Sequence, residues 1–228
     1  MTSNDIMSAL CEVFDTLTEE QQSLVMESIT TRVYKKGESI YHIGDMPVHM
    51  MCLFAGKVKI VKEGLGERQQ IVRVLRPVSY FGYRASFAAQ HFATAAVAIE
   101  SSTVGFIPLR IIMRILKENQ RLAWFFIRQL SYYLGLADER TLNLTQKHIR
   151  GRLAETLLSL KDCYGLEEDG CTLSIYLSRE DLANMSNMTT SNAIRTLSAF
   201  AKEGIVAVDG RKIKIMQEQT LQAISRFG

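Results

Sequence analysis

The side chains whose types and spacing could do chemistry crowd into "SREDLANMSNMTTSNAIRTLSAFAKEGIVAVDGRKIKI", Ser178 to Ile215. Thr189, Thr190, Ser191, Asn192 and Arg195 alternate there with Ala193, Leu197 and Phe200 at helical spacing. A helix that buries the apolar set presents Thr190, Ser191, Ile194, Arg195 and Ser198 on its other face. These are short hydrogen-bonding groups around one guanidinium, suited to base edges and phosphates in a major groove, where a slim helix end fits. Ser178 can cap a preceding helix, "REDLANM", with Asp181 three residues on as a variant of the capping box, and Thr189 can cap the second. Ser186, Asn187 and Met188 then form the tight turn of a helix-turn-helix. In "IVAVDGRKIKI" an Asp-Gly pair between alternating residues signals a hairpin whose Arg211, Lys212 and Lys214 can face phosphates. Helix-turn-helix plus basic hairpin is a winged helix. The same geometry also serves protein-interaction modules, and many basic hairpins are merely solvated.

No comparable set exists for bond-making. There is no nucleophile elbow, P-loop or HExxH, and none of the four histidines forms an H-x-H pair. Cys11, Cys52, Cys163 and Cys171 lack C-x-x-C spacing and read as reduced cytosolic thiols. A metal-dependent enzyme built on a β-roll would need clustered His and carboxylate ligands. We therefore expect no enzyme, no metal and no cofactor.

The elements that must position the winged helix are legible upstream. The 228 residues are 47% hydrophobic and 22% charged with a net charge of +3, a globular composition large enough for one big or two ordinary domains. The small positive excess permits an anionic partner without demanding one. Acids stand where a signal peptide needs bases, and no apolar run spans a bilayer, which reads as a soluble cytoplasmic protein with no membrane partner. "MSALCEVFDTL" and "LTEEQQSLVMESI" predict two short helices, the second capped by Thr18 with Gln21 closing the box. From Thr31 to Pro108, short strand-like runs are punctuated by Gly37, Gly44, Gly56, Gly64, Gly66, Gly82 and Gly105, the pattern of a barrel, roll or jelly roll. "IIMRILKEN" then leads into a long helix from Gln120 to Gln146. Within it Ile127, Leu130, Leu134, Ala137, Thr141 and Leu144 form an apolar seam with one polar member. The seam packs either on the chain's own β-domain or in a two-chain coiled coil; the helix is long for a small roll to cover, which favours a homodimer. "IRGRLAETLLSLKDCYG" gives another helix, with Ile149, Leu153, Leu157 and Leu160 on one face and Gly165 as C-cap, and the acidic "LEEDGC" a loop. The fold class is α+β: an N-terminal β-roll of effector type over residues 1–118, a dimerisation helix over 119–146, and a winged helix-turn-helix over 147–228.

In this order the parts resemble the CRP/FNR family of bacterial transcription regulators over nearly the whole chain, most specifically in "IRGRLAETLLSL" and "LSREDLANMSNMTTSNAIRTLSAFAKEGIVAVDGRKIKI". The resemblance implies a cyclic-nucleotide-binding-like roll, a homodimer and double-stranded DNA as partner, with RNA polymerase a further candidate. It gives Arg195 the base-reading role, commonly at guanine. Thr190, Ser191 and Asn192 would meet bases or phosphates, and Ser178, Thr189, Arg211 and Lys212 the backbone. Many members carry Glu where Ser191 stands, so a different half-site is expected.

The effector positions depart further. In "SYFGYRASFAAQHFATAAVA", Gly82 is kept, but Tyr83 replaces the ribose-binding Glu and Ala93-Thr94 the phosphate-binding Arg-Ser. Ala137-Asp138 replace the adenine-contacting Thr-Ser. Without the Arg a cyclic phosphate has no bidentate partner, so tight cyclic-AMP binding is not expected. Arg84 is left as an anchor for another anion or as a solvated loop residue. Only Cys11 lies near the N-terminus, too few for an iron-sulfur cluster. His42, His49 and His91 with Met50 or Met51 are the candidate ligands of a haem sensor, though lone His and Met are more often ordinary packing groups. A ligand-binding module with no DNA role is the remaining alternative.

Overall fold

The structure, a computed structural model, describes residues 10–64 and 69–227. The start of the first expected helix, from Met7, and the expected turn at Gly66 lie outside them. The chain divides into two compact units, Met1–Glu63 with Val72–Gly135, and Gly64–Ile71 with Leu136–Gly228.

In the first unit α1 (Cys11–Phe14) and α2 (Glu19–Ser28) precede the strands. Thr18 Oγ1 accepts from Gln21 N–H at 3.3 Å while Thr18 N–H donates to Gln21 Oε1 at 3.2 Å, the expected reciprocal cap. The strands are β1 (Thr30–Tyr34), β2 (Ser39–Tyr41), β3 (His49–Ala55), β4 (Val58–Glu63), β5 (Gln69–Leu75), β6 (Ser79–Phe81), β7 (Ala95–Ala98) and β8 (Ser102–Pro108). They form two four-stranded sheets, ordered β1-β8-β3-β6 and β2-β7-β4-β5. A short helix, α3 (Tyr83–Phe87), interrupts them.

Strand β3 shows why its sequence, "HMMCLFA", is apolar throughout instead of alternating. Met50, Cys52 and Phe54 pack with Leu10, Val13, Ile112, Leu122 and Phe126. Met51 and Leu53 pack with Val58, Ile60, Phe81, Ala96 and Ala98. A strand buried on both faces has no polar side to present.

Helix α4 (Leu109–Glu118) leads through Asn119 into α5 (Gln120–Gln146). The Asn119 amide donates to Thr16 O at 2.8 Å and Gln21 Oε1 at 2.7 Å, and its Oδ1 accepts from Leu122 N–H at 3.0 Å. It thus starts α5 and ties it to the cap of α2. At 1.5 Å per residue, α5 is about 40 Å long.

The second unit holds α6 (Ile149–Tyr164), α7 (Arg179–Met185), α8 (Thr190–Lys202), the hairpin β9 (Val206–Asp209) and β10 (Lys212–Ile215), and α9 (Glu218–Phe227). Its core collects Leu153, Leu157, Leu160, Leu182, Ala183, Ala193, Leu197, Phe200, Ile213 and Leu221, all buried. Gly165 ends α6 at φ +74, as expected of a C-cap glycine. The acidic stretch is more than a loop. Asp169 Oδ1 accepts from the N–H groups of Cys171 at 3.0 Å and Thr172 at 2.8 Å, and Oδ2 from the Thr172 hydroxyl at 2.6 Å. The turned chain then adds a short edge to the hairpin: Leu173 N–H donates to Ile213 O at 3.0 Å and Ile215 N–H to Cys171 O at 2.9 Å.

Candidate nucleic-acid interface

Helix α8 is built as its spacing requires. Ala193, Leu197 and Phe200 are buried and Thr196 joins them, while Thr190, Ser191, Ile194, Arg195 and Ser198 are all exposed. Thr189 Oγ1 caps the helix by accepting from Asn192 N–H at 3.3 Å, which leaves its hydroxyl proton available. Arg195 Nη2 donates to Asn192 Oδ1 at 2.6 Å, so the guanidinium is held one turn from its own backbone. Asn192 is therefore a support for Arg195.

Ser178 also caps as expected: its Oγ accepts from Asp181 N–H at 3.0 Å. It differs from the phosphate contact expected of it, because its proton donates to Asp181 Oδ2 at 2.8 Å. A phosphate oxygen needs a donor, and this hydroxyl has given its only one to the cap.

The hairpin forms one residue later than the Asp-Gly signal suggests. Asp209 pairs with Lys212, so the two-residue loop is Gly210-Arg211, with Gly210 at φ +55 in the first position, the pattern of a type II′ turn. Arg211 and Lys212 are exposed, and the Lys212 ammonium lies 5.5 Å from the centroid of the Tyr176 ring. Lys214 is instead paired with Asp169, Nζ to Oδ2 3.1 Å. The Thr172 hydrogen bonds, the neighbouring N–H groups and that ammonium hold the Asp169 carboxyl far below its usual range. Arg179, which the sequence reading passed over, donates from Nη2 to Gly210 O at 2.7 Å and pins the hairpin turn to the first residue of α7. No local pattern could have shown that contact, which joins residues far apart in the chain.

The apolar seam of α5 is largely uncovered within the chain. Ile127 is 48% and Leu134 64% exposed, Ala137 and Thr141 are exposed, and Leu130 and Leu144 are half-buried. Of these only Leu130 packs against the described core of the roll. The Thr141 hydroxyl donates to Ala137 O at 2.9 Å, so the polar member is satisfied within its own helix.

Residues 151–224 match the profile of the Crp-like helix-turn-helix domain, and residues 31–119 that of the cyclic nucleotide-binding domain. The cyclic AMP receptor protein of Thermus thermophilus is 23% identical over 95% of this chain and 97% of its own length. Electron transport regulator A of Shewanella oneidensis is 25% identical over 96% of this chain and 88% of its own. The structure of FixK2 from Bradyrhizobium japonicum shares the fold with a TM-score of 0.78 at 22% identity, covering 86% of this chain and 96% of that one. The chain belongs to the CRP/FNR family of transcription regulators.

The residues expected to meet an effector are placed as follows. Gly82 holds φ +84, and a Cβ there would lie 2.2 Å from Met51 Cε. Tyr83 is buried, its ring centroid 4.9 Å from that of Phe126 and 5.4 Å from that of Phe87. It is part of the core rather than a ligand group, and burial pushes its phenol up to about 12. Arg84 and Ala93 are exposed. Thr94 Oγ1 lies 3.4 Å from the hydroxyl of Tyr41, whose ring stacks on Phe92 with centroids 3.9 Å apart. Ala137 and Asp138, exposed on α5, belong to the second unit.

The candidate haem ligands do not converge. Met50 and Met51 pack into different clusters on opposite faces of β3. The His49 ring stands edge-on to Phe106 at 5.8 Å, exposed His42 lies 3.6 Å from Asp45, and exposed His91 hydrogen-bonds Gly44 O at 3.0 Å. Among the described residues no three His, Cys, Asp or Glu side chains form a metal-sized cluster, and no helix is long and apolar enough to cross a membrane.

Proposed function

We propose that the protein acts as a homodimer on near-palindromic double-stranded DNA, and that cyclic AMP does not control it. The carrying observation is the outward face of α8, four exposed side chains around an exposed Arg195 already held in place by Asn192. With the seam of α5 joining two chains, two such helices enter successive major grooves about one helical turn apart. Arg195 reads a purine edge, guanine by family precedent, where its fork can bond two acceptors at once. Thr190 and Ser191 read neighbouring base edges or phosphates. Thr189, Arg211 and Lys212 hold the backbone and set the register. Residues 147–228 form the DNA-binding domain, 119–146 the dimerisation helix and 1–118 the roll, in which Tyr83 packs among aromatic rings where cyclic-AMP binders of the family carry a Glu. A regulator of this kind works in the cytoplasm, is not an enzyme, and as an activator would also touch RNA polymerase.

The test is selection of bound fragments from the source genome by the purified protein at fixed salt. The expected result is a single near-palindromic motif, with no change in affinity when cyclic AMP is added and no heat of cyclic-AMP binding in calorimetry. Fragments retained only in proportion to length, with no motif, would refute sequence-specific recognition; a micromolar cyclic-AMP constant would refute the effector reading alone.

A further inference from the structure

The turn between α7 and α8 carries more buried polar chemistry than two short helices require. The last carbonyls of a helix have no partners within it. Here the carbonyl of Met185, the last residue of α7, and those of the next two residues accept from arginines on other helices. Arg140 Nη2, on α5, donates to Ile71 O at 2.6 Å and to Met185 O at 3.2 Å. Arg152, on α6, donates from Nε to Ser186 O at 3.1 Å and from Nη2 to Asn187 O at 3.3 Å. Arg152 Nη1 also reaches Lys147 O, 3.4 Å away at the junction of α5 and α6. Beneath them the Ser186 hydroxyl, 2% exposed, lies 2.8 Å from Leu182 O and 3.0 Å from Thr156 Oγ1, and Thr156 in turn donates to Arg152 O at 2.9 Å. Asn187 sits at φ +49, a conformation Asn tolerates better than most side chains.

We infer that Arg140 and Arg152 are positioning residues for DNA recognition, fixing the turn from which the recognition helix α8 departs and making its seating depend on the last turns of α5. The inference rests on the DNA-binding reading above and deepens it. Neither arginine lies on α8, so neither acts by adding a base contact there. Arg152 brings a planar fork to two of these carbonyls, and a fork sets angles where a lysine ammonium supplies only charge, while Arg140 adds one Nη2 donor to the third. The consequence is selective. A small shift of α8 breaks the paired hydrogen bonds between Arg195 and a base edge, which demand sub-ångström placement. The same shift hardly alters attraction to phosphates, which is long-ranged and tolerant of angle. Arg140 further means that a rearrangement of the end of α5 reaches Met185 directly, a route by which a signal would arrive at the DNA-reading surface.

The test is anisotropy titration at fixed salt on the selected duplex and on a random duplex of equal length, with melting temperatures measured alongside. Arg152→Lys keeps a cation at the helix end, so it should fold while losing the fork. It is expected to bind the selected duplex about tenfold more weakly, the scale of one lost base contact, and the random duplex less than about twofold more weakly. Arg140→Gln should do the same to a smaller degree, and the double variant should lose less than the product of the two, because both act on one turn. Equal losses on both duplexes, or a lowered melting temperature with an unchanged ratio of affinities, would overturn the inference. If wild-type protein preferred no duplex, the DNA reading itself would fall and this one with it, and that is visible before any variant is measured.

Discussion

On α8 the polar side chains point away from the core, while in the roll Tyr83 turns inward among aromatic rings. Ser191, Arg195 and Ser198 keep their hydrogen-bonding capacity at the surface. Tyr83 has joined Phe87 and Phe126, and Tyr41 has stacked on Phe92. The contrast teaches what a working recognition surface looks like before its ligand arrives. Its groups are oriented by neighbours, as Arg195 is by Asn192, without being consumed by them. The cluster around Tyr83 shows the reverse, side chains that already pack on each other.

The comparison can be broken most forcefully at the seam of α5, on which the proposed doubling of the DNA-reading surface depends. Leu134→Glu would place a charge in the dimer contact, and an unpaired buried charge costs about 3–5 kcal/mol. Sedimentation should show a monomer, and affinity for a two-half-site duplex should collapse; an unchanged dimer would mean that another surface joins the chains. The next largest effect sharpens the roll side. Tyr83→Glu restores the carboxylate that cyclic-AMP binders carry, but inside an aromatic cluster. Loss of the ring and burial of a polar group should lower stability by about 3 kcal/mol, read by denaturant unfolding. It should not create cyclic-AMP binding, because Ala93-Thr94 still offers the phosphate no guanidinium.

A smaller effect tests the preorganisation of α8. Asn192→Ala frees the Arg195 guanidinium, and re-ordering such a side chain on binding costs about 0.5–1.5 kcal/mol. Affinity for the selected duplex should fall accordingly, with the preferred sequence unchanged. A changed preference would make Asn192 a base reader itself. A last effect, confined to alkaline solution, is that of pH on Tyr83. Its folded-state phenol titrates at about 12 against 10.0 for an unperturbed one, so the fold favours the neutral form. The stability this contributes is intact below pH 10.0 and is lost as pH rises through about 12. Burial also raises the phenols of Tyr34 and Tyr41, so tyrosinate absorbance should show a late-ionising fraction that shrinks, without vanishing, in Tyr83→Phe.

The parts of this account that were legible in the sequence are those set by neighbours in the chain. The limits of α5, the Thr18–Gln21 box, and the caps at Ser178 and Thr189 all follow from patterns a few residues long. So does the division of α8 into buried and exposed faces. What sequence reading missed depends on pairing across distance. Asp169 turns the acidic stretch into a third edge of the hairpin and takes Lys214 out of the phosphate-facing set. Arg179 reaches Gly210 across 31 residues, and Arg152 reaches Asn187 across 35. Helix α9 also went unread, although Leu221 and Ser225, four apart and both buried, carry its inner face. The hairpin loop slipped by one residue because the glycine belongs at the first loop position of a II′ turn, with Asp209 left in the ladder.

The central claim, that Arg195 reads a base within an intact recognition face, is tested most directly by pairing a protein change with a base change. Guanines of the selected half-sites are replaced one at a time by a deaza analogue that lacks the N7 acceptor, and binding is measured for the wild-type protein and for Arg195→Ala. The account predicts one position per half-site where the analogue weakens wild-type binding, within the roughly 1–3 kcal/mol that Arg195→Ala itself costs, and has no further effect on the variant. If every analogue is neutral for the wild type, or weakens both proteins equally, Arg195 does not read that guanine edge and the claim fails.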